Sequence, residues 1–242
     1  MDIVVVGGPH SGVGKTLACE LAIRALCSAP VGALKLTVAD GEREPEHDHG
    51  AFAQVIADAA GVCGRGASCG VCETVSARIP SRLITAPGAI KKPGTDTRRL
   101  HDAGAVAVAW VIALRSGAPH AVADALAYLE RAGARTVVIE GTTALEWIRA
   151  TASVMVATDP GKKWKDVALR HVAGCDIVLR NLTPLPAGDL AAPPQFWATQ
   201  PLACNLADAA DQATWQYAER LRRAVYRRAA STALGEGGAL TA

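Results

Sequence analysis

Short apolar runs separated by helical stretches constrain the fold of this chain more than any other feature. The runs are rich in β-branched residues and lack polar alternation, a pattern typical of strands in a parallel sheet that is covered on both faces. Each strand–helix–strand step implies a right-handed crossover. The sequence therefore predicts one doubly wound, mostly parallel α/β domain over 1–230. The predicted strands are at 2–7, 31–38, 105–114, 135–141, 153–158 and 175–181.

The helical stretches complete this organisation. Hydrophobic periodicity and stop signals predict helices at 15–27, 95–103, 118–132, 142–150, 164–173 and 207–229. Residues 39–94 interrupt the alternation, because they are long, rich in Gly, Pro and charge, and contain three cysteines. Such a length between core strands predicts a functional insertion after the second strand. The last residues, 231–242, are expected to be a flexible tail.

Composition and charge exclude several classes of function. The net charge of +2 gives no strong field for binding nucleic acid, so a nucleic-acid partner is not expected. No run of 18 uninterrupted apolar residues predicts a membrane span, and no export signal is visible at the start. A cytoplasmic location is therefore predicted. In that compartment seven cysteines favour metal ligation or reactive thiols over disulfides.

A glycine-rich loop, Gly7–Thr16 with the sequence GGPHSGVGKT, follows the first predicted strand. Its glycines allow backbone N–H groups to approach phosphates at a helix N-terminus. Lys15 can reach the β- and γ-phosphates, and the Thr16 hydroxyl can bind Mg²⁺. Pro9 stands where the strict P-loop pattern has glycine, so the spacing from Gly8 is one residue longer. The residues predicted to bind nucleotide here are Gly8, His10, Ser11, Gly12, Val13, Gly14, Lys15 and Thr16.

Two carboxylates are candidates for holding Mg²⁺ or the attacking water. Glu140 closes the predicted strand VVIEG, and Asp40 follows the second strand, so both belong at strand ends beside the loop. Asp159, at another strand end, is a weaker candidate. Glu140 can alternatively be an acid that stabilises a helix N-terminus.

The segment GPHSGVGKT resembles the loop of dethiobiotin synthetase and its relatives in the SIMIBI class of P-loop proteins, in which nucleotide-gated homodimers are common. His10 stands where the MinD/ParA branch of that class has a signature lysine. In RNLTPLP, Asn181 is similar to the asparagine that reads the nucleotide base in dethiobiotin synthetase-like proteins. The alternative for Asn181 is a turn residue before Pro184.

A second resemblance covers much of the first 160 residues. KLT at Lys35–Thr37, KPGTDTRRLHDAGA at Lys92–Ala105 and VVIEG are similar to segments of the molybdopterin-guanine-dinucleotide biosynthesis adaptor (MobB) family. Gly94, Asp96 and Arg98 fall on that pattern, whereas Leu36 stands where the family has histidine. Without the resemblance, Thr95 reads as a helix cap and Asp96 as a first-turn acid. The resemblance implies a role in assembling a metallocofactor, with a metalloenzyme or a cofactor-biosynthesis protein as partner.

Cys63, Cys69 and Cys72 are spaced C-x₅-C-x₂-C with glycines between them. A C-x₂-C pair can bind one metal ion or two irons of a cluster. The three thiols favour an iron–sulfur cluster, in particular [4Fe–4S] with an open fourth position. Zinc completed by His47 or His49 is the alternative, as are reactive or buried thiols.

Together these features predict a SIMIBI-type NTPase that hydrolyses ATP or GTP slowly, is stimulated by a partner, and assists metallocofactor assembly or insertion. Its catalytic residues would be Lys15, Glu140 and Asp40. Two alternatives stay open. One is a dethiobiotin synthetase-like ligase or kinase with Lys35 lining its substrate pocket, and the other is a non-catalytic nucleotide sensor that carries an Fe–S cluster or zinc.

Overall fold

The computed structural model describes residues 1–39, 75, 78–184 and 188–235. Eight strands in these ranges form one sheet, and seven α-helices accompany them. The strands are β1 (Asp2–Gly7), β2 (Val31–Ala39), β3 (Ser81–Ile84), β4 (Ala107–Leu114), β5 (Thr136–Glu140), β6 (Ala152–Ala157), β7 (Ile177–Asn181) and β8 (Leu202–Cys204). The helices are α1 (Lys15–Ala25), α2 (Pro87–Ile90), α3 (Asp96–Asp102), α4 (Ala118–Arg131), α5 (Asp166–His171), α6 (Pro194–Ala198) and α7 (Gln212–Gly235).

The sheet has the strand order β3-β4-β2-β5-β1-β6-β7-β8. All neighbouring pairs are parallel except β3 and β4. The predicted α/β class with a mostly parallel sheet is therefore confirmed, and the order is compatible with a doubly wound fold. Because β1 lies inside the sheet, its carboxyl end faces several other strand ends, which is where open α/β sheets bind ligands.

Alternate residues of each strand pack on opposite faces of the sheet. Val4 and Val6 belong to a buried cluster with α1, α3 and α7, and Val5 belongs to a cluster with α4. On the first face the Tyr217 hydroxyl donates a hydrogen bond to the Ala18 carbonyl oxygen, which joins α7 to α1. Burial on both faces explains why the strand sequences lack polar alternation.

The predicted insertion at 39–94 requires a correction at its end. Ser81–Ile84 forms β3 and pairs antiparallel with β4, and α2 follows it, so this part of the range belongs to the sheet and its helices. Four residues at a half-exposed edge carry too weak a pattern for a strand to be predicted from sequence. The short strand β8 was missed for the same reason.

Two predicted helices differ from the structure. Thr142–Glu146 is a short 3₁₀ helix and not an α-helix over 142–150, because the Thr142 hydroxyl bonds to the backbone of Gly8 and holds the chain against β1. The last helix begins at Gln212, where Asp211 accepts a hydrogen bond from the Ala213 N–H. Its backbone continues to Gly235, beyond the predicted end at 229.

None of the helices in the described ranges is both long enough and apolar enough to cross a membrane.

Candidate functional site

The glycine-rich loop connects β1 to α1 at the carboxyl edge of the sheet. A Cβ atom at Gly8 would lie 2.8 Å from the Val156 carbonyl oxygen and 2.6 Å from Val13 Cγ2. Gly14 has φ of 98°, in the left-handed region that favours glycine, directly before α1. The loop conformation therefore depends on glycine at both positions.

Thr142, which follows β5, fixes the start of this loop. Its hydroxyl oxygen accepts a hydrogen bond from the Gly8 N–H at 2.8 Å and donates to the Gly8 carbonyl oxygen at 2.7 Å. One buried hydroxyl thus satisfies both backbone groups of Gly8, as buried polar groups require. The first turn of the loop is held in place without a ligand.

The centre of the site is the Thr16 hydroxyl, in the first turn of α1. It lies 3.1 Å from Asp96 Oδ1 and 3.1 Å from Glu140 Oε2. Glu140 comes from the end of β5 and Asp96 from the first turn of α3. Since a hydroxyl has a single proton to donate, the two carboxylates share it. The arrangement confirms the position predicted for Glu140 at the strand end beside the loop.

Lys35 closes the cluster from β2. Its Nζ atom donates to Asp96 Oδ2 at 2.6 Å and also to Glu140 Oε1. Burial by itself lowers the pKa of Lys35, but Glu140 and Asp96 outweigh this effect and raise it. Although burial opposes its charge, the pKa of Asp96 is lowered, chiefly by Lys35. One ammonium group therefore contacts both carboxylates and favours the charged form of Asp96.

Lys15 lies under the loop and donates from Nζ to the His10 carbonyl oxygen at 2.6 Å. Desolvation lowers the pKa of Lys15 to about 8, although Glu140 acts in the opposite direction. Lys15 has no ion pair with any residue in the described ranges. It is a buried cation next to the loop, with its charge available to an anion.

The His10 imidazole is turned towards the protein. Its Nε2 atom accepts a hydrogen bond from the Lys162 N–H at 3.0 Å, and its Nδ1 lies 2.8 Å from the Ser11 carbonyl oxygen. These partners require the neutral tautomer with the proton on Nδ1. Desolvation lowers the pKa of His10, which favours the same neutral form. Through His10, the loop is attached to the segment that follows β6.

Asn181 is 4% exposed at the end of β7. Its Nδ2 atom donates to the Val13 carbonyl oxygen at 3.0 Å, and its Oδ1 accepts from the Thr183 N–H at 3.0 Å. A Cβ atom at Gly14 would lie 2.4 Å from Asn181 Nδ2. The structure thus places Asn181 against the loop with one amide hydrogen still to donate.

The remaining predicted residues fall into two groups. Ser11 and Gly12 are exposed at the tip of the loop, and Val13 is buried beneath it. Several predicted residues lie outside the described ranges, namely Asp40, His47, His49, Cys63, Cys69 and Cys72. Within those ranges, no group of three or more His, Cys, Asp or Glu side chains is arranged to hold a metal ion.

Sequence reasoning missed two residues of the site. Asp96 was predicted only as a first-turn acid and as part of a family pattern, whereas its carboxylate contacts both Thr16 and Lys35. Thr142 was not singled out at all. Its only signal was its position after Glu140–Gly141, at a strand end.

Comparison of the chain with protein-family models, with curated proteins and with solved structures finds no match.

Proposed function

We propose that this chain is a SIMIBI-type P-loop NTPase that binds ATP or GTP with Mg²⁺, hydrolyses it slowly in response to a partner, and assists metallocofactor assembly or insertion. One observation carries the nucleotide part. At the first turn of the helix after a glycine-rich loop, the Thr16 hydroxyl lies between the carboxylates of Asp96 and Glu140.

The loop supplies what a chain of phosphates requires. Its backbone turns at Gly14 into the N-terminus of α1, where unpaired N–H groups and the helix dipole favour an anion. Lys15 is the cation beside it. When phosphate oxygens replace the His10 carbonyl as its acceptor, the buried charge of Lys15 gains a charged partner.

The donors of the Thr16 cluster fit Mg²⁺. A hydroxyl oxygen and two carboxylates converge, and Mg²⁺ prefers hard oxygen ligands, several of them water. Thr16 would hold the ion, with Glu140 and Asp96 orienting its water shell. When bound, the ion would neutralise charge on the transferred phosphoryl group. In the structure, Lys35 supplies the positive charge that balances these carboxylates.

Lys35 also favours the second candidate, a dethiobiotin synthetase-like ligase or kinase. Its ammonium group lies at the site and its side chain is 19% exposed, so a carboxylate or phosphate of a small substrate can compete for it. This candidate predicts ADP formation that depends strictly on the small molecule. The NTPase predicts basal hydrolysis without one.

The test is calorimetric titration of the protein with ATP and with GTP, with and without Mg²⁺. We expect Thr16→Val to lose the contribution of Mg²⁺ to affinity and Thr16→Ser to keep it, because only the hydroxyl is needed. Lys15→Met should weaken binding at least about tenfold, the cost of one charged hydrogen bond. Equal affinity of wild type and Lys15→Met for both nucleotides would refute the proposal.

The metallocofactor part rests on Cys63, Cys69 and Cys72, outside the described ranges, and is tested separately. Protein purified without oxygen would be analysed for iron, sulfide and zinc. A cluster would give broad absorbance and matching iron and sulfide, whereas zinc would give colourless protein. Cys63→Ala should lose the metal and Cys27→Ala, at an exposed position in the turn after α1, should keep it. Metal-free wild-type protein would contradict the metallocofactor proposal and would not affect the proposal of nucleotide binding.

Homodimerisation follows from the same class and is proposed with it. Size-exclusion chromatography with and without nucleotide would test whether the mass doubles.

A further inference from the structure

Arg180 lies at the carboxyl end of β7, on the face of the sheet opposite to Asn181. Its neighbours in register are Ala157 of β6 and Ala203 of β8. Neighbours in register point to the same side of a parallel sheet. A long cationic side chain is therefore flanked by two small ones at the carboxyl edge of the sheet, where open α/β sheets bind ligands.

The side chain of Arg180 contacts an aromatic ring but donates no hydrogen bond to any residue that the structure describes. Its Cζ atom lies 5.3 Å from the ring centre of Trp197, so one face of the guanidinium packs against the indole. Its Nε atom is buried without a hydrogen-bond partner, and Arg180 forms no ion pair with any residue the structure describes. The side chain as a whole is half-buried, so its terminal NH₂ groups are the part that an oxyanion can reach.

The segment that follows β6 is bonded to the segment that precedes α6. Asp159 Oδ1 accepts a hydrogen bond from the Ala192 N–H at 2.8 Å, and Gly161 pairs with Leu190. Asp159 is thus engaged with the backbone and forms no ion pair with Arg180.

We propose that Arg180, supported by Trp197, binds the phosphate or carboxylate group of a ligand at this edge of the sheet. The oxyanion would bind the terminal NH₂ groups and pair a cation that has no ion-pair partner in the described protein. Trp197 is 41% exposed and packs beside the guanidinium group, which would lower the entropic cost of ordering it on binding.

This site is separate from the glycine-rich loop. Consecutive residues of a strand point to opposite faces, and Asn181 reaches Val13 of the loop from the other face. The proposal therefore does not depend on nucleotide binding.

The experiment uses the full chain with nitrogen-15 labelling and follows arginine Nε–H signals by NMR. Arg180→Lys identifies the Arg180 signal by its loss, and Arg131→Lys, at an exposed helix end, is the matched control. Inorganic phosphate and acetate are titrated as probes at constant ionic strength, in wild type and in Lys15→Met. We expect a saturable shift of the Arg180 signal in both backgrounds, with affinity near 1 mM, about that of a small anion held by a few contacts. Line broadening of the phosphate signal, observed by phosphorus-31 NMR, supplies a second readout. The phosphate affinity that it measures should fall about tenfold in Arg180→Lys.

Each outcome decides a part of the proposal. A shift with phosphate alone assigns a phosphate group as the ligand, a shift with acetate alone assigns a carboxylate, and a shift with both assigns a general oxyanion site. The absence of a saturable shift with either probe would overturn the proposal. So would a response that disappears in Lys15→Met, because it would then belong to the glycine-rich loop.

Discussion

The hydroxyl of Thr16 lies 3.1 Å from Glu140 Oε2, although 124 residues separate the two along the chain. The contact joins the helix that follows β1 to the strand that lies next to β1 in the sheet. Asp96 and Lys35 complete the same cluster, so α1, β2, α3 and β5 each contribute one polar side chain. Its geometry governs both the stability of this edge and the chemistry proposed for it.

Glu140 is the residue of this cluster whose loss should cost most. It is 2% exposed, so Glu140→Gln leaves the Lys35 charge with a single, half-exposed partner. We expect the free energy of unfolding to fall by about 3–5 kcal/mol, measured by urea denaturation. Asp96→Asn should cost about 1 kcal/mol or less, because Asp96 is 44% exposed and solvent screens its charge. A double variant, Glu140→Gln with Lys35→Met, should recover part of the loss, and strict additivity of the two changes would contradict the pairing.

Lys15 should make stability and anion binding depend on pH. Its folded pKa of about 8 lies below the ordinary 10.5, so the unfolded chain binds more protons between these values. The free energy of unfolding of wild type should therefore rise with pH over this window relative to Lys15→Met, by up to about 3 kcal/mol. Denaturation curves of both proteins across that range measure the difference, and parallel pH profiles would contradict it.

If phosphates bind beside Lys15, they stabilise its charged form and raise its pKa again. Binding above about pH 8 should then take up protons. Calorimetry in buffers of different ionisation enthalpy counts them. The uptake should be absent in Lys15→Met.

His10 should be sensitive to acid. Its pKa is lowered below 6.5 by desolvation, so the unfolded chain binds the proton first as the pH falls. Stability present above pH 6.5 is lost as the pH falls through the folded pKa, because protonated Nε2 no longer accepts the Lys162 N–H. NMR titration of the ring C–H signals gives the folded pKa directly. His120→Gln, at an exposed position, should leave the acid profile of stability unchanged, whereas His10→Gln should flatten it; a His10 pKa at or above 6.5 would refute this account.

Two glycines of the loop should differ in their tolerance of alanine. Gly12 and Gly14 both have positive φ, at 80° and 98°, so either substitution pays the left-handed penalty of about 1–2 kcal/mol. Only at Gly14 does the new Cβ meet another group, Asn181 Nδ2 at 2.4 Å, while at Gly12 nothing lies within 4 Å. Gly14→Ala should therefore lower the melting temperature more than Gly12→Ala. Adding Asn181→Ala to Gly14→Ala should remove the excess loss, and equal effects of the two single variants would contradict the steric argument.

The sequence was sufficient to predict the local features of this protein. The six apolar runs all became strands, and α1, α3 and α4 begin within a residue of their predicted starts, because periodicity and caps are read within a few residues. Glu140 was also predicted at a strand end, because the apolar run VVI before it is typical of a buried parallel strand. The edge strands β3 and β8 escaped prediction because their four and three residues carry almost no pattern.

Tertiary structure decided which side chains meet. Asp96 is 80 residues from Thr16 and 61 from Lys35, and only the order of the strands brings the three together. The same holds for the His10 imidazole, whose partner is the backbone of Lys162, and for Arg180, whose partner is Trp197. Local sequence determines whether a segment forms a helix or a strand and which of its side chains share one face, since both depend on near neighbours. The pairing of charges across a sheet depends on strand order and register, which arise only when the whole core is packed.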